Sequence, residues 1–159
     1  MTGMKKYIVA LGALLLVGCG PQEDQFVDAK EAAALQTRGD LLLDIREPDG
    51  YKEFRIPNST HIPFGYLKYR LNELAEYKDK TIVVTDYSGL RSPRAWEVLK
   101  KAGFAQVLIV RGGAKAWKEA GLPIETMEMQ MENERQQQAQ QLELEQLQQE
   151  IEKLKQEQQ

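Results

Sequence analysis

Three short runs, at residues 41–45, 81–85 and 107–110, limit what this chain can fold into. Leu-Leu-Leu-Asp-Ile, Thr-Ile-Val-Val-Thr and Val-Leu-Ile-Val are too short for helices and are apolar or β-branched at nearly every position. A strand with one wet face alternates polar and apolar residues, whereas a strand buried on both faces of a parallel sheet does not. The intervening segments have helical features. Residues 29–37 are alanine-rich and stop at Gly39, and residues 66–77 place Leu67, Leu71 and Leu74 at helical spacing. Residues 92–102 put Ala95, Val98, Leu99 and Ala102 on one face; Gly112-Gly113 then forms a turn before a last short helix at 114–120. Strands alternating with helices imply an α/β domain with a central, mainly parallel sheet flanked by helices, expected over residues 26–124.

Both ends of the chain depart from this pattern. Lys5 and Lys6 precede an apolar stretch of 11 residues, Tyr7 to Val17. That is too short to cross a hydrocarbon layer of about 30 Å, so it reads as the core of a secretory leader. The following Leu16-Val17-Gly18-Cys19 resembles the lipobox of bacterial lipoproteins. The resemblance implies that residues 1–18 are a signal peptide and that Cys19, the sole cysteine, becomes the acylated, palmitate-type amino terminus. Each buried methylene contributes about 0.8 kcal/mol, and more than one chain is needed for stable anchoring. Gly20 stands where an inner-membrane retention Asp is common, so the expected location is the outer membrane, facing the periplasm. Residues 19–25 are expected to be a lipidated terminus and polar linker that lifts the domain off the membrane.

Residues 125–159 contain 12 glutamines and no glycine, proline or aromatic residue, and are expected to form a helical tail. Leu144, Leu147, Ile151 and Leu154 follow a 3-4-3 spacing, the a/d seam of a two-heptad coiled coil, while Gln137 and Gln140 break it upstream. A solvated tail and a tail that makes homo-oligomers are both compatible with this pattern. Nine acids and three bases put the chain's acidity here; residues 20–124 hold 15 acids and 16 bases. A formal net charge of −3 excludes general nucleic-acid affinity, which needs a basic surface.

The chemistry is expected after the second strand, in Asp86-Tyr87-Ser88-Gly89-Leu90-Arg91-Ser92. A loop between a parallel strand and a helix lies at the carboxyl edge of the sheet, where such folds bind ligands. Its amides can converge on an anion.

Several blocks carry a resemblance to the rhodanese-like family. Leu43-Asp44-Ile45-Arg46-Glu47-Pro48 is similar to the family's LDVRE-P segment, and Ile56-Pro57 with His61-Ile62-Pro63 fall at its GHIPGAxxIP run. Residues 86–92 match the active-site loop CxxGxRS in length, glycine and Arg-Ser ending. Ala102-Gly103-Phe104, Val107, Gly112-Gly113, Ala116-Trp117 and Gly121-Leu122-Pro123 match the closing segment. Membership implies an α/β fold with a parallel sheet and, in active relatives, a cysteine thiolate that attacks sulfane sulfur while loop amides stabilise the persulfide.

Two positions depart from the family. Phe54-Arg55 replaces Gly-His, and Asp86 stands where the catalytic cysteine opens the loop. A carboxylate cannot form that persulfide, and the thiolate is the competent nucleophile toward sulfur. It also repels an incoming anion: like charges about 4 Å apart at an effective dielectric near 20 repel by about 4 kcal/mol. Asp86 is therefore expected to act as a plug, accepting the loop N–H bonds and lying near Arg91 in place of a bound anion. The alternatives are an Asp86–Arg91 recognition site for a cationic or peptide ligand, and Asp-based covalent catalysis. No metal cluster or second acid accompanies Asp86, and no cofactor is expected. Asp44 and Arg46 are expected to be a supporting charge pair, His61 a packed or surface residue, Trp96 and Trp117 packing residues, and Tyr87 and Leu90 exposed partner contacts. Met127, Met129 and Met131 are expected to cover the domain edge. The whole reads as a lipid-anchored, non-catalytic binding or scaffolding module with an unidentified protein partner. A sulfurtransferase-family enzyme with residual or Asp-dependent activity and a tail-driven structural protein are the alternatives.

Overall fold

The computed structural model describes residues 20–157. The expected signal peptide at 1–18 and the lipidation site Cys19 lie outside the described residues. Five strands form one parallel sheet in the order β1-β5-β4-β2-β3: β1 (Phe26–Val27), β2 (Leu41–Asp44), β3 (Thr60–His61), β4 (Thr81–Thr85) and β5 (Gln106–Val110). Three of these are the strands expected from the apolar runs. The two-residue edge strands β1 and β3 carry no run of their own.

Side-chain alternation along the central strands feeds two cores. Leu41, Leu43, Ile45, Ile82 and Val84 point to one face, against Leu67, Leu74, Ala95, Leu99 and Phe104. Leu42, Val83 and Val110 point to the other, against Ala29, Ala32, Phe54, Ile56, Ala114 and Trp117. With both faces covered, nearly every strand residue is apolar.

Among the described residues, six α-helices accompany the sheet: α1 (Ala29–Thr37), α2 (Pro48–Glu53), α3 (Phe64–Leu67), α4 (Ser92–Lys101), α5 (Gly113–Glu119) and α6 (Met127–Glu157). Asp28 caps α1, accepting from the N–H groups of Lys30 and Glu31 while Glu31 accepts from Asp28 N–H. The single helix expected at 66–77 is instead α3 followed by a 3-10 helix, Leu71–Tyr77. Bonds from Tyr69 N–H to Tyr66, Arg70 N–H to Leu67 and Glu73 N–H to Arg70 carry the tighter turn between them. Burial needs only Leu67 and Leu74 inside, and because they lie on separate elements no continuous helical face is required.

The expected linker is partly structured. Glu23–Gln25 forms a 3-10 turn, and Glu23 pairs with Arg111 at 2.6 Å. At the other end, Arg55 and Glu125 exchange two main-chain hydrogen bonds of 2.8 Å, so the folded body runs one residue past Ile124. The tail then leaves as one continuous helix, α6. Met127 lies at the domain edge, lining a small cleft with Tyr51, Lys52 and Arg55, whereas Met129 and Met131 do not cover that edge and are about half exposed. All three fall in the first turns of α6, after the Arg55–Glu125 bridge. Among the described residues, no helix is long and apolar enough to cross a membrane.

Candidate functional site

Strand β4 ends at Thr85 and delivers Asp86 into a buried position at the carboxyl edge of the sheet, only 3% exposed. The loop curls around its carboxylate. Oδ1 accepts from Gly89 N–H at 2.7 Å and from the Ser92 hydroxyl at 2.8 Å, and Oδ2 accepts from Arg91 N–H at 2.9 Å. Ser92 is the first residue of α4 and is fully buried. Gly89 makes the reversal at φ +86°.

A second connection fixes this loop from below. The start of α5 has N–H groups with no partner in their own helix, and the loop carbonyls take two of them. Ala114 N–H donates to Asp86 O at 2.7 Å, and Lys115 N–H donates to Tyr87 O at 2.9 Å. Such contact needs a residue without a side chain at 113: a Cβ there would lie 2.4 Å from Asp86 O and 2.8 Å from Tyr87 C. The turn read at Gly112-Gly113 is thus the floor of the site. Its pairing with residues 86–89 had no sequence signal beyond the two glycines.

Beside the loop, Arg46 and Asp44 form a buried ion pair. Arg46 Nε donates to both carboxylate oxygens at 3.0 and 2.9 Å, and Nη2 donates to Oδ2 at 2.7 Å. The remaining guanidinium donors reach the carbonyls of Gly50 and Phe54, each at 2.9 Å. Phe54, at one of the two departures from the family pattern, also stacks under that guanidinium at 4.6 Å. His61 Nε2 lies 2.8 Å from Arg46 O, and its ring stacks on Tyr51 at 3.8 Å. These residues hold the wall of the site, and His61 is packed into it. Trp96 and Trp117 pack as expected, donating their ring N–H groups to Val107 O and Pro123 O.

The open side is a cleft of about 370 Å³ lined by Arg46, Glu47, Gly50, Asp86, Tyr87, Ser88, Leu90 and Arg91. Tyr87 is 50% and Leu90 82% exposed at its rim. The expected approach of Arg91 to Asp86 is only half realised. The main-chain N–H of Arg91 binds the carboxylate, but its guanidinium turns outward to Glu47 at 3.4 Å. Three donors already satisfy Asp86 within the loop, leaving the long side chain free to seek a solvated partner. Glu47 in that role was missed from sequence, since the two positions are 44 residues apart. Among the described residues, no group of three or more His, Cys, Asp or Glu side chains is placed to hold a metal ion.

The known proteins that this chain resembles share this architecture. Residues 28–120 match the Rhodanese-like domain family, and the chain belongs to it. It is 38% identical over 88 residues to a sulfurtransferase of Allochromatium vinosum, covering 55% of this chain and 80% of that protein. It is 33% identical over 100 residues to the thiosulfate sulfurtransferase GlpE of Vibrio cholerae, covering 62% of this chain and 92% of that one. Among solved structures, a rhodanese-related protein of Thermoplasma volcanium superimposes with a TM-score of 0.58 at 30% identity, over 64% of this chain and 97% of that one.

Proposed function

We propose that this chain is a catalytically inactive rhodanese-like binding module, held by lipid on Cys19 in the bacterial cell envelope with its domain in the periplasm. One observation carries the reading: Asp86 occupies the position of the family's nucleophile and takes up the Gly89 and Arg91 N–H groups and the Ser92 hydroxyl. Those donors would otherwise face a thiolate or its persulfide. Here they serve a group that accepts hydrogen bonds and carries no sulfur. An entering anion would also meet the carboxylate at close range in a poorly screened position. Recognition is what remains for the cleft, through exposed Tyr87 and Leu90 beside the Arg91–Glu47 pair, a surface suited to a protein segment.

The names of the relatives favour a second reading, a working sulfurtransferase. A sulfur-transfer assay from thiosulfate to cyanide, on the full chain in detergent, separates the two. The native chain is expected to show no turnover above the uncatalysed rate, while Asp86→Cys, with the same loop donors now available to a thiolate, is expected to gain it. Turnover by the native chain would establish the enzyme reading.

The anchor has its own test. The 3-10 turn at Glu23–Gln25, its cap at Gln22 and the Glu23–Arg111 pair leave only Gly20 and Pro21 between Cys19 and the folded body, at most about 10 Å at full extension. The domain would then lie close to the bilayer rather than lifted from it. Cells fed labelled palmitate are expected to label the native chain and not Cys19→Ala, and detergent-phase partitioning should be lost with the label. Equal labelling of the two chains would remove the anchor from the proposal.

A further inference from the structure

Helix α6 runs 31 residues without a break, about 46 Å at 1.5 Å per residue, and only its first turn, at Met127 and Gln130, borders the domain. A helix of this kind draws most of its stability from an apolar face packed on something. Its apolar stripe faces outward instead: Leu144, Leu147 and Ile151 are each about half exposed. In heptad terms they occupy a, d and a, and Leu154 continues the spacing at d.

The flanking charges identify what covers this stripe. The g positions hold Glu143 and Glu150, while the e positions hold Gln141, Gln148 and Lys155. In a parallel pair each g residue faces the e residue five places on in the other helix. Glu150 then meets Lys155 twice, once on each side, and Glu143 meets neutral Gln148. An antiparallel pair would set g against g, glutamate against glutamate. Ile151 at a beside Leu147 at d is also the combination that favours two strands, although Leu144 occupies the other a position. We propose that α6 forms a parallel, in-register, two-stranded coiled coil with a second copy of this chain, seated on Leu144, Leu147 and Ile151. Upstream, Asn133, Gln137 and Gln140 occupy the core positions, so pairing is confined to the distal part of the helix. The stretch from Met127 to Leu144, about 25 Å long, keeps the two domains apart.

The test uses the full chain in the membranes of the cells that produce it. Gln140→Cys places a thiol at a d position next to the seam, where parallel pairing brings the same residue of both copies together. Gln138→Cys, at an outward b position, is its control and shares any contribution from Cys19. Mild oxidation is expected to cross-link Gln140→Cys at least about tenfold faster than Gln138→Cys, because only the former is opposite its own copy. Adding Leu147→Glu should abolish the difference. In dilute detergent, Lys155→Glu replaces two attractions by two repulsions and should raise the dimer dissociation constant about tenfold. Glu150→Lys combined with Lys155→Glu should restore it, since the swapped charges still meet g to e. Equal cross-linking of the two cysteine variants overturns the dimer, and failure of the double charge swap to restore affinity overturns the parallel register.

Discussion

Replacing Arg46 with alanine is expected to destabilise the domain by about 3–5 kcal/mol, a fifth or more of the total stability of an ordinary domain. The reason lies in what the guanidinium leaves behind. Asp44 is wholly buried, and three of its four contacts come from the Arg46 side chain; the fourth is the Arg46 main-chain N–H at 3.0 Å. Without that side chain, a carboxylate stays out of water with one donor, and the carbonyls of Gly50 and Phe54 each lose theirs. Removing one member of a buried pair costs far more than the pair contributes relative to an apolar core. The contrast is Arg38, 68% exposed on its side chain, whose pair with Asp40 at 2.9 Å is a surface contact worth about 0–1 kcal/mol. Urea unfolding of Arg46→Ala beside Arg38→Ala would measure the difference. The double variant Asp44→Ala with Arg46→Ala should cost less than the sum of the two single changes, because no charge is then stranded. Equal shifts for Arg46→Ala and Arg38→Ala would show that the pair is not buried in solution.

That ion pair also marks how far the sequence could be followed. Asp44 and Arg46 lie two apart at the end of a strand-like run, so their side chains leave on the same side and a charge pair was legible. The carbonyls that complete it belong to α2, whose Pro48 and Gly50 obscure a six-residue helix, and to Phe54 beyond it. Strands β2, β4 and β5 were legible because burial on both faces writes an uninterrupted apolar run. Strands β1 and β3 were not, since two residues at a sheet edge have no pattern to show. The loop at 86–92 could be placed by its position between a strand and a helix, and the internal acceptance of its amides by Asp86 followed from the residue's chemistry. The direction of the Arg91 side chain did not follow, because it depends on Glu47 arriving from another loop.

Gly113→Ala is expected to displace the Asp86 loop and to cost about 2–5 kcal/mol, combining the left-handed backbone penalty of about 1–2 with overpacking of about 1–3. Gly113 sits at φ +63°, and its missing side chain is where the loop runs: a Cβ would stand 2.4 Å from Asp86 O, 2.8 Å from Tyr87 C and 2.9 Å from Gly89 N. All three neighbours are backbone atoms, so no rotamer change can make room. The loop must rise or α5 must withdraw, and either movement breaks the bonds from Ala114 and Lys115 to the loop carbonyls. Raising the loop also carries Gly89 N–H away from the Asp86 carboxylate. Gly121 isolates the steric part, because it has nearly the same angle, φ +68°, with nothing within 4 Å of a built Cβ. Gly121→Ala should therefore cost only the backbone penalty of about 1–2 kcal/mol. Thermal unfolding of the two variants gives the difference, and the amide resonances of Gly89 and Arg91 should shift in Gly113→Ala alone. Combined with Asp86→Cys, the same change should remove any sulfur transfer that the cysteine confers, since the loop donors would no longer converge on residue 86. Two alanine variants with equal stability and unshifted loop amides would mean that the floor of the site gives way without strain.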